Sequence, residues 1–143
     1  MSSKDVVIVN SAFCLPYRDW EAKALADATE DATLVSAGYK VERVSNTPDE
    51  IDAMIEMVKV SSPLAIVFET DIGTWLEKGY EKRKGKVLKK LKPIAEGGVK
   101  VLSMNNKQLS EKDAEFIVAI DEPSMFGSAG HGATILEYLS QLE

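Results

Sequence analysis

One cysteine, Cys14, and one histidine, His131, are all that 143 residues provide of either type. A single thiol excludes an internal disulfide, and the scarcity of both leaves no cluster with metal-ligand spacing. No metal and no cofactor are expected. No apolar run approaches the roughly 20 residues that span a bilayer, and Met1-Ser2-Ser3-Lys4-Asp5 lacks the layout of a signal peptide. These absences suit a cytoplasmic protein with no membrane partner. Cations are also scarce: 17 Lys and Arg against 23 Asp and Glu give a net charge of −6, the wrong sign for general nucleic-acid binding. There is no internal repeat, low-complexity tract or linker. The length fits one domain, residues 1–143, large enough for its own core.

The cations that are present cluster. Lys78, Lys82, Arg83, Lys84, Lys86, Lys89, Lys90 and Lys92 are eight of the seventeen. This run reads either as a solvated helix face or as an anion-attracting rim, a contact surface for an acidic partner.

Strand and helix patterns alternate. Asp5 to Asn10 is a β-branched apolar run, the mark of a central parallel strand buried on both faces. The spacing of Ala24, Leu25, Ala28, Ala32 and Val35 predicts a helix from about Trp20 to Ala37 with those residues on its apolar face, ended by Gly38. Tyr39 to Val44 alternates as a second strand. Thr47-Pro48-Asp49-Glu50 is a helix start, and Ile51, Met54, Ile55 and Val58 mark that helix's inner face. Leu64 to Phe68 is a third strand. The next helix is expected from about Thr74 to Ala95, with Gly79 and Gly85 as weak points. Val99 to Met104 and Phe116 to Ile120 are strands four and five, and Thr134 to Leu142 closes the chain as a helix with Ile135, Leu136 and Leu139 inward. This rhythm predicts an α/β fold: a doubly wound, five-stranded parallel sheet in a flavodoxin-like three-layer sandwich. Strand ends and helix starts then share one edge, so 10–17, 69–74, 105–108 and 121–132 should face a common crevice.

The third strand runs into Asp71-Ile72-Gly73-Thr74-Trp75-Leu76-Glu77-Lys78-Gly79-Tyr80. The pattern Asp-x-Gly-Thr-x-x-Glu-x-Gly-Tyr resembles the signature of the nucleoside 2-deoxyribosyltransferase superfamily. The resemblance implies Glu77 as a nucleophile toward the anomeric carbon of a nucleoside or nucleotide. It implies Asp71 as the acid that handles the base or a sugar hydroxyl. Gly73 would admit backbone to the sugar, Thr74 would bind one of its oxygens, and an acid of the preceding helix, Asp52 or Glu56, would assist. Homo-oligomers whose neighbours complete the site are common in that family. The chemistry is self-consistent, because an oxocarbenium-like state is served by one trapping carboxylate and one proton donor.

Thr74-x-x-Glu77 is also a capping box, which requires no catalysis. The family commonly carries a tyrosine or Gly-Pro pair after the first strand, where this chain has Asn10 and Ser11. Asn10 retains a side chain able to meet a base edge. Phe68-Glu69-Thr70-Asp71 is shorter than the family's usual loop, and Glu69 adds a carboxylate. Crowded acids raise one another's pKa. The glycine-rich stretch Gly127 to Gly132 matches neither phosphate-binding pattern and reads as an anion-binding turn or a flexible lid. His131 within it is an acid, a phosphate ligand or simply solvated, and Cys14 reads as a small buried filler rather than a nucleophile.

The order of elements is similar to a receiver domain as well. In that reading the acid pair falls on Asn10 and Ser11, the phosphorylated position on Glu69, the hydroxyl on Ser103 and the lysine on Glu122, before Pro123. Such a chain would be a non-phosphorylatable interaction module.

Overall fold

The computed structural model describes residues 4–10, 20–69, 80–103, 115–120 and 132–142. Five strands, β1 (Asp5–Asn10), β2 (Lys40–Ser45), β3 (Ala65–Phe68), β4 (Lys100–Ser103) and β5 (Ile117–Ala119), form one sheet in the order β2-β1-β3-β4-β5. Every pairing is parallel. Four helices are described: α1 (Trp20–Ser36), α2 (Pro48–Ser61), α3 (Tyr80–Glu96) and α4 (Gly132–Gln141). The fold is therefore the expected doubly wound three-layer α/β arrangement.

Alternation along the strands builds two cores. Val7, Val9, Ile66, Phe68 and Val101 pack against α2 and α3. Val6, Ile8, Ala65, Val67 and Leu102 pack with Leu34 of α1 and Ile135 and Leu139 of α4. Burial on both faces is what made β1 and β3 continuous apolar runs. On α2, Ile51, Met54, Ile55 and Val58 are buried, as their spacing predicts. The α2 start differs in one detail. Thr47 sits extended at the N-cap (φ −118°, ψ 154°) but makes no side-chain cap. Glu50 instead accepts a hydrogen bond from the Ser45 N–H at 3.3 Å.

Helices α1 and α3 end alike. The Tyr39 N–H donates to Leu34 O and the Gly38 N–H to Val35 O, and Val99 and Gly98 repeat this on Ile94 and Ala95. Gly38 and Gly98 have φ of 98° and 110°. These are paired Schellman exits, each turning a helix back into a strand.

Three expectations change. The apolar face assigned to α1 lies outward: Ala24, Ala28 and Ala32 are exposed, Leu25 is 63% exposed and Val35 56%. Ala26, Glu30 and Leu34 face in instead. An inward glutamate broke the apolar line, and Arg43 compensates its charge (below). Helix α3 runs unbroken through Gly85, because Val87, Leu88, Leu91 and Ile94 bury one face and outweigh a cost of about 1 kcal/mol for glycine. Strand β5 is three residues long rather than five.

Candidate functional site

In a sheet of this order the chain reverses direction beside β1, and ligands bind outside the strand ends at that switch point, between β1 and β3. The Glu69 N–H donates to Val9 O at 3.0 Å, so the β1–β3 ladder extends to Glu69 at the sheet's C-terminal edge. Following Ala65 and Val67, Glu69 falls on the α1/α4 face.

Its carboxylate meets an arginine from two strands away. Arg43 lies mid-β2 opposite Ile8 of β1, on the same face as Val41. From there its guanidinium reaches over β1. Nη2 binds Glu30 Oε1 at 2.6 Å, Nε binds Asp31 Oδ1 at 2.7 Å, and Nη1 lies 3.4 Å from Asp27 Oδ1 and 3.7 Å from Glu69 Oε1. Nη2 also donates to the Asp27 backbone carbonyl at 3.2 Å. Asp27, Glu30 and Asp31 share one helix face because residues three and four apart are neighbours on a helix. The planar fork of arginine suits several carboxylates at once.

One cation among four acids cannot neutralise all of them. The Glu30 side chain is 1% exposed and that of Glu69 10%. Burial above all, then the hydrogen bond and charge of Glu30, hold the Glu69 carboxyl well above its ordinary range, with Arg43 pulling the other way. Glu30 itself is tied to the guanidinium at 2.6 Å. Burial works against the charge of Arg43, but Glu30, Glu69 and Asp27 raise its pKa above the ordinary value. Glu69 Oε1 has no hydrogen-bond partner among the described residues. A buried carboxyl with a raised pKa thus stands at the switch point, an arrangement suited to general-acid chemistry.

The proton makes stability depend on pH with a defined sign. The folded-state pKa of Glu69 is raised, so its contribution is complete below the ordinary value of 4.5 and is lost as pH rises through the folded-state value. Glu69→Gln keeps the shape and the donor to Glu30 and removes the titration. The stability of the variant relative to wild type should therefore rise with pH above that ordinary value. Urea unfolding across pH measures the difference, and a pH-independent difference contradicts the assignment.

Gly132 sets how closely α4 approaches this cluster. A Cβ there would lie 3.0 Å from Thr33 Cβ and 3.2 Å from Glu30 Cα. Gly132→Ala must push the two helices apart at Glu30, with an expected loss of about 1–3 kcal/mol, read by thermal or urea unfolding. Of the glycine-rich stretch, this residue has a packing role.

The other sequence candidates are distributed as follows. Asn10 ends β1 opposite Ser45, with its side chain outside the description. Asp52 is half-exposed and 3.6 Å from Lys90 of α3. Glu56 is 74% exposed and 3.1 Å from Lys59. Both lie on α2, across the sheet from the Glu69–Glu30 pair. Glu77, Asp71, Ser11, Gly73, Thr74 and His131 fall outside the described residues. Sequence reasoning singled out Glu69 but missed Arg43, Asp27, Glu30 and Asp31. The available signal was an arginine at an inward position of β2 and three acids at helical spacing on α1. Among the described residues, no group of His, Cys, Asp and Glu is arranged to hold a metal ion, and no helix is long and apolar enough to cross a membrane.

No family model and no curated protein matches the chain. Among solved structures, it is similar to the crystal structure of CCPA, a LacI family transcriptional regulator from Weissella paramesenteroides with bound sucrose. That similarity has a TM-score of 0.44 and 10% identity, covering 96% of this chain and 53% of that one. The chain thus spans about half the length of that regulator.

Proposed function

We propose that the chain cleaves or exchanges the N-glycosidic bond of a nucleoside or nucleotide, with a carboxylate nucleophile. The observation that carries this reading is Glu69, a carboxyl buried beside Arg43 where β3 leaves the sheet at the switch point, with its pKa raised chiefly by that burial. The Asp71–Tyr80 stretch, with its resemblance to nucleoside deoxyribosyltransferases, continues directly from it.

In this mechanism the Glu77 carboxylate attacks the anomeric carbon as the C–N bond breaks. The base leaves with the bonding pair and takes a proton from Asp71. The product is a glycosyl ester on Glu77. A second base, or water, then attacks the same carbon, returns a proton to Asp71 and releases the carboxylate. Asn10 and Ser11 meet the base, and Gly73 and Thr74 the sugar. A homo-oligomer in the cytoplasm, with neighbouring copies completing each site, fits the same reading.

The test is incubation of the full chain with a panel of nucleosides and nucleoside monophosphates, with and without a second free base, followed by chromatography. Release or exchange of base by wild type and not by Glu77→Ala supports the reading. No turnover of any member, and no ligand-induced thermal shift, opposes it.

A further inference from the structure

Helix α3 has concave surfaces on both flanks, and their charges are handled differently. Toward α2, a cavity of about 560 Å³ has Val58, Ile94 and Val99 in its wall and is rimmed by Lys59, Lys90 and Lys89, which also borders the opposite flank. Two of these are matched, Lys59 by Glu56 at 3.1 Å and Lys90 by Asp52 at 3.6 Å. Toward β5, a groove of about 600 Å³ is formed by Lys82, Lys86, Lys89 and Lys92 over Leu88 and Phe116. Among the described residues none of these four lysines has an acidic partner. They follow one another at intervals of three or four along α3, a cationic row about 15 Å long at 1.5 Å per residue.

The distribution of charge sharpens the point. Residues 78–92 hold eight cations and one acid, a local charge of +7. The rest of the chain then holds nine cations and twenty-two acids, or −13, which restores the total of −6. A concentrated cationic row on an otherwise acidic body attracts anions to one place and repels them elsewhere. A long polyanion that runs past the groove meets that repulsion, whereas a short acidic segment does not. The floor discriminates too: Leu88 and Phe116 contribute nothing to a phosphate backbone but bury an apolar side chain.

We propose that this groove docks a short acidic peptide segment of a partner protein, with carboxylates along the lysine row and one large apolar side chain on Leu88 and Phe116. Gly85 lies between the lysines, and a Cβ built there meets nothing within 4 Å. The first atom of a side chain at 85 therefore enters the groove without a clash, and a leucine there favours the helix over glycine.

The test uses the full chain and fluorescence anisotropy in low-salt buffer. The probes are a labelled Asp/Glu-rich peptide with one central Phe, the same peptide with Ala in place of Phe, and an oligothymidylate of equal charge. The Phe peptide should bind about tenfold or more tighter than either control. Lys82→Glu combined with Lys86→Glu should weaken it by about tenfold or more, and so should Gly85→Leu, which fills the groove and leaves the charge intact. Lys59→Glu, on the other flank, should leave its affinity unchanged. The proposal is overturned if no probe binds, if the Ala peptide or the oligothymidylate binds as tightly, if Gly85→Leu has no effect, or if Lys59→Glu weakens binding as much as the groove variants.

Discussion

Arg43→Met lowers the unfolding free energy by about 3–5 kcal/mol at neutral pH, the scale of removing one partner from a buried ion pair. The loss arises mainly at two carboxylates. The Glu30 and Glu69 side chains are 1% and 10% exposed, whereas Asp31 at 37% and Asp27 at 21% lie closer to water. Without the guanidinium, Glu30 loses its 2.6 Å ion pair and must take up a proton or face the interior charged. The deficit is therefore smallest in acid, where carboxylates are protonated, and grows as pH rises through the carboxylate range. Arg43→Lys restores little, because an ammonium cannot place separate nitrogens on Glu30, Asp31 and Asp27 at once. Urea unfolding of the three proteins at several pH values measures this. A loss within about 0.5 kcal/mol at every pH, the range of an ordinary surface change, would mean that water already screens the cluster.

Glu77→Ala is expected to lower turnover of the best nucleoside substrate by about a thousandfold or more, as removal of an essential nucleophile does. Initial rates of base release check the value. Binding of substrate should survive, because the sugar and base contacts assigned to Asn10, Ser11, Gly73 and Thr74 are untouched. A capping role alone predicts a different pattern. Loss of a helix cap costs about 1 kcal/mol of stability and leaves any turnover within a few-fold of wild type. The two outcomes separate cleanly, because one appears in rate and the other in stability.

The parts of this fold that were legible in the sequence are those where one physical requirement dominates. Strands β1 and β3 are buried on both faces, so Val6 to Val9 and Ala65 to Phe68 had to be apolar without interruption. Helix α2 combines a proline start with an apolar face that nothing interrupts. Helix α1 was misread because its inward line, Ala26, Glu30 and Leu34, carries a glutamate. The burial of Glu30 is intelligible only once Arg43, thirteen residues later, arrives from another element. Its small outward alanines meanwhile imitate an apolar face. The candidate site divides in the same way. Glu69 was visible as one more carboxylate at a strand end. Its proton was not, because it depends on burial and on a long-range partner that local pattern does not encode. At Gly132, the close approach to Thr33 and Glu30 was not legible in the glycine-rich pattern.

The central claim is that the Glu77 carboxylate bonds to a sugar. Peptide mass spectrometry tests it most directly. Wild-type chain is exposed briefly to excess of a nucleoside substrate, quenched in acid and digested. The account predicts a mass gain of one sugar residue on the peptide that contains Glu77, absent from Glu77→Ala. Base release with no adduct, or with the adduct on any other residue, would contradict it.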